Sequence, residues 1–570
     1  MTTTPSLEQS LRHTLGQALD TLALPADQRG ALSMALEPPR IAAHGDLATS
    51  VAMQLAKSLR RPPLELAEQV AAQWRQRLAA GGLEPLVERV EVKPPGFINL
   101  FLSQRALHET LSRVLAERAS YGRCGVGQGL KTQVEFVSAN PTGPLSVAHG
   151  RQAAVGDALA NLLRFAGYDV TREYYLNDEG TQMEVLGQSL MVRYLQALGE
   201  PAQLPENGYK GAYLTTIAQT VIAEVGRRWV SDSPERTAWF FARAQGEILA
   251  IIKQELEDFG VRFDEWYPQS SLRTSGKQEE AMALLKQRGH LYEQDGAWWL
   301  KSTAFGDDKD RVVVRSDGRP TYIAADIAYH REKYRRGFQR IINLWGPDHH
   351  GYIPRMLAAI QAMGYSKDSL TVLIVQLCTL RRGTETIPMS TREGEFVTLR
   401  QVMEEVGRDA ARFFFLMRKL DSHLDFDLEL AKTQAPENPV YYIQYAHARI
   451  AGILAKAEPG GMTAPGTEQA SRGPASPATS LLTQPEELQL LRALREFPAA
   501  VQAAARELEP QRMTHYLSQA AGDFHKFYDT HRVVTDDPAL TRARLALIEG
   551  VQRVLASGLA LLGVSAPTKM

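Results

Sequence analysis

The chain has 570 residues, enough for roughly three to four domains with cores of their own. Its 64 basic and 65 acidic residues are almost balanced, which argues against a nucleic-acid-attracting field over the whole molecule but allows local basic patches. Two cysteines, Cys124 and Cys378, are too few for a disulfide framework or a zinc site. Without a signal pattern or an apolar run of membrane-spanning length, we expect a soluble cytoplasmic protein.

Three regions and a linker follow one another along the chain. Residues 1–115 mix helical stretches with a β-like ending, "VERVEVKPPGFINLFL". In residues 116–435, β-rich runs alternate with amphipathic helices, which predicts a parallel sheet covered by helices, with an insertion at about 185–300. Residues 436–570 are helical in pattern, except that the Pro-, Gly- and Ser-rich stretch 457–480 predicts a loop.

The stretch "NPTGPLSVAHGR", residues 140–151, lies between the strand-like "QVEFV" and a predicted helix. In that helix, Val155, Leu159 and Leu162 recur at helical spacing, and "YDVTREYYL" supplies the next strand. Strand, Gly/Pro loop, helix and strand begin a nucleotide-binding unit, in which N–H groups at the helix start face an anion. Taken alone, the pattern fits a simple strand–helix turn equally well.

Longer blocks resemble one family. The blocks "SANPTGPLSVAHGR", "GYDVTREYYLNDEGTQ", "RPTYIAADIAYH", "LWGPDHHGYIPRM", "RQVMEEVGRDAARFFFLMRKL", "NPVYYIQYAHARI" and "LLGVSAPTKM" are similar, in this order, to arginyl-tRNA synthetases. The resemblance implies a multidomain α/β protein: a class I Rossmann-type catalytic domain, an N-terminal α+β tRNA-binding domain and a C-terminal all-α anticodon-binding domain. It also implies L-arginine, tRNA(Arg) and ATP with Mg²⁺ as partners, and formation of arginyl-adenylate before transfer to tRNA.

Both ATP signatures of that family are altered here. The first normally reads His-x-Gly-His, and its position holds "SVAH" at residues 146–149. The second normally reads Lys-Met-Ser-Lys, and its position holds "PMST" at residues 388–391. Some members carry a compensating lysine just before the first signature, but residues 142–145 read "TGPL".

The missing histidine and lysines would otherwise stabilise the charge that develops on the phosphate oxygens of ATP. Removing one donor to a transition state typically costs about 10²–10³ in rate. We expect four residues to carry the reaction: His149, Ser146, Ser390 and Arg392. Arg381, Arg382 and Arg392 flank the second signature and are candidate replacements for the lysines; solvated loop charges are the alternative.

Other positions match the family's substrate contacts. A guanidinium needs planar acceptors, and the family pattern falls on Glu135 and Asp326 for this group, Tyr322 for the pocket wall and Asn140 for the polar end of arginine. For ATP the expected residues are Ser138, His149, Gly150, Gly346, Asp348 and Met389. Asn177 and Asp178 either border the same cleft or cap a helix. The adjacent His349 and His350 have no third ligand nearby, so we expect no metal site.

The tRNA contacts are expected at both ends of the chain. The candidates are Asn99, Phe101, Arg512, Tyr516 and Arg532. The aromatic residues Tyr441, Tyr445 and Phe524 lie at helical spacing, which favours the core. We expect a monomer.

The predicted function is therefore ATP-dependent charging of tRNA(Arg) with arginine. One alternative is an impaired paralogue that binds tRNA or arginine without efficient charging, suggested by the altered signatures. Another is a nucleotide-binding oxidoreductase, disfavoured because no Gly-x-Gly-x-x-Gly follows the first strand.

Overall fold

The computed structural model describes residues 7–22, 29, 32, 34–39, 41–387, 397–457 and 478–570. The chain divides into two units. The first comprises Met1–Tyr121, Ile450–Phe497 and Gln519–Val554. The second comprises Gly122–Arg449, Pro498–Ser518 and Leu555–Met570. Both units are discontinuous in sequence, and the domain limits at 115 and 435 remain predictions.

An antiparallel sheet and helices form the N-terminal part of the first unit. The helices are α1 (Leu7–Leu19), α2 (Val51–Leu59), α3 (Pro63–Ala80) and α4 (Gln104–Glu117). The strands are β1 (Leu47–Thr49), β2 (Val87–Lys93) and β3 (Phe97–Leu102), in the order β1-β3-β2. In α3, Leu66, Val70 and Trp74 recur every four residues and are buried, because they form one apolar face. This part is α+β, as expected.

A parallel sheet is the centre of the second unit. Its strands and those of two smaller sheets are β4 (Lys131–Glu135), β5 (Asp169–Leu176), β6 (Glu265–Pro268), β7 (Leu291–Gln294), β8 (Ala297–Leu300), β9 (Arg311–Val314), β10 (Arg340–Trp345), β11 (Leu370–Ile374), β12 (Cys378–Arg382), β13 (Glu385–Thr386) and β14 (Leu424–Asp427). The parallel sheet has the order β11-β10-β4-β5-β6. The carboxyl ends of its strands share one edge, where open parallel sheets bind ligands. The Rossmann-type prediction is confirmed.

Helices cover this sheet. They are α5 (Val147–Phe165), α6 (Thr181–Ala197), α7 (Ala212–Val225), α8 (Pro234–Asp258), α9 (Ser270–Thr274), α10 (Lys277–Gln287), α11 (Tyr322–Arg335), α12 (Ile353–Ala362), α13 (Leu399–Val406), α14 (Arg408–Leu416) and α15 (Leu428–Lys432). Helix α5 follows β4 and packs closely on it. A Cβ at Gly156 would lie 2.1 Å from Phe136 Cγ, so a glycine is required for this approach.

The C-terminal region is helical, as predicted. Its long helices are α16 (Pro439–Ala457), α17 (Pro485–Glu507), α18 (Gln511–Thr530) and α19 (Pro538–Leu561). Of the loop predicted at 457–480, residues 458–477 lie outside the described residues. Among the helices that the structure describes, none combines the length and apolar character that crossing a membrane requires.

Candidate active site

The turn after β4 has an unusual backbone conformation. Val137 and Ser138 have φ angles of 65° and 38°, in the left-handed region that non-glycine residues rarely adopt. The Ser138 hydroxyl donates to Glu135 Oε1 at 3.2 Å and accepts the backbone N–H of Tyr175 at 3.0 Å. Ser138 therefore links the ends of β4 and β5 at the ligand-binding edge of the sheet, and its contact with ATP stays a prediction.

Glu135 is one half of a buried ion pair. Lys333 on α11 has a fully buried side chain, and its Nζ donates to Glu135 Oε2 at 2.5 Å and to Asn343 Oδ1 at 3.0 Å. Asn343 also contacts His330 Nε2 at 2.9 Å, and burial lowers the pKa of His330 to about 3, so this imidazole is neutral. Because a buried charge needs a partner, Lys333 compensates Glu135, which does not face a ligand as a free carboxylate.

Glu173 on β5 is a second compensated acid, adjacent to Glu135 in the strand register. The Arg336 guanidinium donates to both of its oxygens, at 2.6 and 2.8 Å, and the Tyr329 hydroxyl donates at 2.5 Å. Burial acts to raise the pKa of Glu173, but the Arg336 hydrogen bonds and the Lys333 charge outweigh it and hold the pKa below its usual range. Both strand acids therefore have cationic partners within the protein.

Asp326 differs from these two acids. Among the described residues, only Tyr352 donates a hydrogen bond to its carboxylate, at 2.5 Å. Burial raises the pKa of Asp326 to about 6, and the Tyr352 hydrogen bond acts in the opposite direction. Tyr322, the first residue of α11 and one turn before Asp326, is 78% exposed. Among the described residues, no cation is in ion-pair contact with Asp326, although the Lys333 charge acts to lower its pKa. Such an acid, one turn from an open aromatic ring, is suited to a cationic ligand.

Asn140 lies exposed near the same edge. Its amide nitrogen donates to Gln182 Oε1 at 2.9 Å, and its Oδ1 accepts from Asn177 Nδ2 at 3.3 Å. Asn177 does not cap α6, because the N-cap of that helix is Gly180. Asn140 and Asn177 are thus hydrogen-bonded to each other beyond the carboxyl end of β5, and their position in the cleft stays a prediction.

The first altered signature forms the start of α5. Ser146 is the N-cap residue, and its backbone N–H donates to His149 Nδ1 at 3.2 Å. Because Nδ1 accepts, the neutral imidazole carries its proton on Nε2. Burial lowers the pKa of His149 to about 4, so the ring is neutral at pH 7. His149 is thus able to donate a hydrogen bond to a phosphate but brings no positive charge.

Gly150, expected to contact ATP, is engaged in helix packing. A Cβ there would lie 2.7 Å from Leu399 Cδ1 and 3.2 Å from Phe415 Cε2. Its N–H donates to the Ser146 carbonyl at 3.0 Å. Since its Cα faces α13 and α14 and its N–H is used within the helix, a packing role replaces the expected contact with ATP.

The position of the second signature is given by the residues that follow it. Met389, Ser390 and Arg392 lie outside the described residues. Just beyond them, Thr398 forms a β-bridge with Ser146, and the Leu399 N–H donates to the Leu145 carbonyl at 2.8 Å. The residues that follow the second signature are therefore hydrogen-bonded to the start of the first.

Two candidate replacement cations have acidic partners. Arg381 Nε lies 3.5 Å from Asp425 Oδ1. The Arg382 guanidinium contacts Glu405 at 2.7 Å and Glu429 at 2.9 Å. Both arginines therefore have acidic partners while their side chains stay nearly half exposed, and the choice between replacement cations and solvated loop charges stays a prediction.

Gly346 and Asp348 follow β10 at the same edge of the sheet. A Cβ at Gly346 would lie 2.6 Å from Asp348 Oδ1, so a glycine allows this carboxylate to approach the backbone. The Asp348 side chain is 75% exposed and lies 3.1 Å from His349 Nδ1. An exposed carboxylate is therefore present at this edge, and its contact with the ribose of ATP stays a prediction.

The structure corrects two of the expected tRNA contacts. Asn99 is 2% exposed, in the central strand β3, and Tyr516 is 6% exposed on α18. Side chains buried to this extent are not presented to an RNA surface. Phe101 is partly buried, with the Arg89 guanidinium 3.5 Å above its ring centre.

The remaining candidates on the C-terminal helices are accessible. Arg512 is partly exposed and pairs with Glu509 at 2.6 Å. Arg532 is exposed. Each therefore remains available as a phosphate contact.

Helix α16 presents aromatic residues that we expected in the core. Phe524 on α18 is fully buried as predicted. Tyr441 and Tyr445 on α16 are only half-buried, and their rings stack with centres 5.8 Å apart. The Arg449 guanidinium lies 4.5 Å from the centre of the Tyr445 ring. A cavity of about 650 Å³ opens beside Tyr441, and its lining includes Met570. The helical spacing of Tyr441 and Tyr445 in the sequence therefore did not distinguish a half-buried helix face from one in the core.

Three family models match the chain in succession. "Arginyl tRNA synthetase N terminal domain" covers residues 7–102, "tRNA synthetases class I (R), catalytic domain" covers 110–424 and "DALR anticodon binding domain" covers 443–570. The chain belongs to the arginyl-tRNA synthetase family.

Similar proteins agree over the full length. The arginine–tRNA ligase of Geobacter sp. (strain M21) is 49% identical over 94% of both chains, and that of Desulforamulus reducens is 46% identical over 99% of this chain and all of the relative. The Thermus thermophilus arginyl-tRNA synthetase structure superposes with a TM-score of 0.75 over 99% of this chain and all of that one; at 23% identity, it supports the fold. This arginyl-tRNA synthetase is an ATP-using arginine–tRNA ligase, and neither the impaired paralogue nor the oxidoreductase is supported.

Proposed function

We propose that this synthetase binds L-arginine at the carboxyl edge of the parallel sheet, with Asp326 as the carboxylate for the guanidinium. The observation that carries the proposal is the contrast among three acids. Glu135 forms an ion pair with Lys333 and Glu173 with Arg336, whereas Asp326 has no ion-pair partner within the described residues and accepts a hydrogen bond from the Tyr352 hydroxyl. A guanidinium and a carboxylate can form two parallel hydrogen bonds, so arginine supplies the missing cation.

Other residues complete this arginine site. Tyr322 is open to solvent and one helical turn from Asp326, so its ring is placed to cover the substrate. Asn140 lies at the mouth of the cleft, where its amide is placed to orient the polar end of arginine. Glu135 accepts hydrogen bonds from Ser138 and Lys333 and so fixes the position of these side chains at the site.

ATP is proposed to lie along the start of α5. The arginine carboxylate attacks the α-phosphate, pyrophosphate leaves, and arginyl-adenylate forms. The positive end of the α5 dipole and the Nε2–H of His149 face the phosphate oxygens in this proposal, while Ser146 holds His149 through Nδ1. Asp348 is placed to accept the ribose hydroxyls, with Gly346 allowing close approach. Mg²⁺ enters with ATP as part of that substrate.

Because His149 is neutral, further positive charge is needed at the phosphates. From the sequence, Arg392 is the proposed source of this charge in place of a lysine, and Met389 and Ser390 are proposed as neutral contacts of ATP. The β-bridge between Ser146 and Thr398 supports this assignment, because it holds the chain just after these residues beside α5.

The tRNA is proposed to contact the C-terminal helices and the N-terminal sheet. The stacked Tyr441 and Tyr445 and the adjoining cavity are suited to unstacked bases, since aromatic faces bind single-stranded nucleotides irrespective of sequence. Arg512 and Arg532 are proposed phosphate contacts, and Phe101 is proposed near the tRNA core. The terminal ribose of the tRNA then accepts arginine from the adenylate. We further propose a cytoplasmic monomer that activates arginine once tRNA is bound.

One charging experiment tests this assignment. Purified full-length protein is incubated with labelled arginine, ATP and tRNA(Arg), and pyrophosphate exchange is followed with and without the tRNA. We expect arginyl-tRNA to accumulate and exchange to depend on tRNA. If the folded protein gives neither arginyl-tRNA nor exchange, the proposed mechanism is wrong, whereas exchange without tRNA would refute only the coupling.

A further inference from the structure

The Tyr175 hydroxyl is a buried polar group without a hydrogen-bond partner among the described residues. The hydroxyls of three nearby tyrosines are engaged. The Tyr174 hydroxyl donates to the Ala139 carbonyl at 2.8 Å, that of Tyr329 to Glu173 at 2.5 Å and that of Tyr352 to Asp326 at 2.5 Å. Because buried polar groups are nearly always paired, the exception at Tyr175 points to a partner absent from the protein itself.

The position of Tyr175 directs this hydroxyl to the acids of the site. Side chains alternate along β5, so Tyr175 shares a face with Glu173 and is opposite in direction to Tyr174. Its ring stacks on that of Tyr329 with centres 4.1 Å apart and planes within 20°. Tyr329 lies on α11, three residues after Asp326 and four before Lys333.

Both the ring and the backbone of Tyr175 are held in place. The stack with Tyr329 fixes its plane, and the backbone N–H of Tyr175 donates to Ser138 Oγ at 3.0 Å. Burial raises the pKa of Tyr175 well above its ordinary value, and the carboxylates of Asp326 and Glu135 add to this rise. The hydroxyl is therefore neutral, and the ring that carries it is preorganised by packing.

We propose that Tyr175 is a specificity-determining residue, whose hydroxyl oxygen accepts an N–H of the arginine guanidinium. This rests on the proposed arginine site at Asp326. A guanidinium has five N–H donors in one plane, more than a single carboxylate accepts, so a further acceptor at a fixed place distinguishes it from a compact ammonium group. A site built to hydrogen-bond a substrate group discriminates strongly against a ligand that lacks it.

The test is Tyr175→Phe in the full-length enzyme, with Tyr267→Phe as the matched control. Tyr267 belongs to the same aromatic cluster, with its ring centre 6.5 Å from that of Tyr175, and its hydroxyl accepts from Lys277 at 3.4 Å. Tyr175→Phe should raise the KM for arginine about tenfold or more, because a hydrogen bond to a charged group is lost. The inhibition constant of agmatine, which presents the guanidinium without the carboxylate, should rise by the same factor.

Three readouts should stay constant in Tyr175→Phe: kcat, the KM for ATP and the KM for tRNA. Its Tm should equal or exceed that of the wild type, because the removed hydroxyl has no partner in the protein. Tyr267→Phe should leave the arginine KM unchanged. This combination, weaker arginine binding without loss of stability, is not expected from a residue with a structural role.

The outcomes separate this inference from the site on which it rests. If Asp326→Asn raises the arginine KM and Tyr175→Phe does not, the inference is wrong and the site stands. If neither variant alters the KM, the proposed site itself is wrong. A lower Tm or an insoluble Tyr175→Phe protein also overturns the inference, since removing an unpaired hydroxyl leaves the ring packing intact.

Discussion

Replacing Asp326 with asparagine tests the charge that we assign to the arginine site. Asparagine keeps the shape of the side chain and an oxygen able to accept from Tyr352, but it removes the negative charge. Burial raises the pKa of Asp326 to about 6, so the wild-type carboxylate is charged at pH 7.5 and largely protonated at pH 5. Loss of a buried, charged hydrogen-bond partner should raise the arginine KM of Asp326→Asn about 30-fold or more at pH 7.5.

The pKa of Asp326 also predicts two pH effects of opposite sign in the wild type. With a pKa of about 6, about one tenth of the carboxylate is ionised at pH 5, so the arginine KM should be about tenfold higher there than at pH 7.5. For stability, the folded pKa exceeds the ordinary value of 3.8, so the native state holds the proton more tightly than the unfolded chain. The resulting stabilisation, at most about 3 kcal/mol, is complete below pH 3.8 and is lost as the pH rises through 6.

Two assays measure these effects. Initial charging rates as a function of arginine concentration, from pH 5 to pH 8, give the KM, with the KM for ATP as the internal control. Urea unfolding at pH 5 and pH 7.5 gives the stability, which should be higher at pH 7.5 for Asp326→Asn than for the wild type. A wild-type arginine KM that is independent of pH, or an unchanged KM in Asp326→Asn, would refute the reasoning.

Three further variants test the neighbouring features. Lys333→Met should lower the free energy of unfolding by about 3–5 kcal/mol in urea titrations, because the buried Glu135 loses its cation, and Glu135→Gln in the same chain should recover part of the loss. His149→Asn should retain the Ser146 hydrogen bond through its amide oxygen yet slow adenylate formation by about 10²-fold. In the wild type, kcat at saturating arginine should show no titration near pH 6.5, and a step there would contradict a His149 pKa of about 4. Arg392→Ala should slow adenylate formation about tenfold or more with unchanged affinities for arginine and tRNA, the pattern of a contact made in the transition state; an unaltered rate excludes the replacement cation.

The sequence predicted the parallel sheet and the regions on either side of it, because alternation and helical spacing are local properties. The acids Glu135 and Asp326 were predicted from the family resemblance and not from these patterns. The partner of Glu135 was not predictable in this way. Lys333 lies 198 residues further along the chain, on a helix where a lysine ordinarily faces solvent, and only the packing of α11 on the sheet buries it. The same limit applies to Asn99, since alternation in β3 shows that two faces exist but not which of them the helices cover.

The turn at Val137 and Ser138 has a consequence for how the enzyme loses activity. A β-branched residue at a φ of 65° holds this conformation only because its surroundings impose it, and such residues store about 1–3 kcal/mol. When denaturant or heat loosens those surroundings, the turn should relax before the sheet melts, and the alignment of Glu135, Ser138 and Tyr175 should relax with it. Charging activity should therefore disappear at a lower urea concentration than the far-UV helical signal, as a local opening confined to the site rather than a first stage of global unfolding.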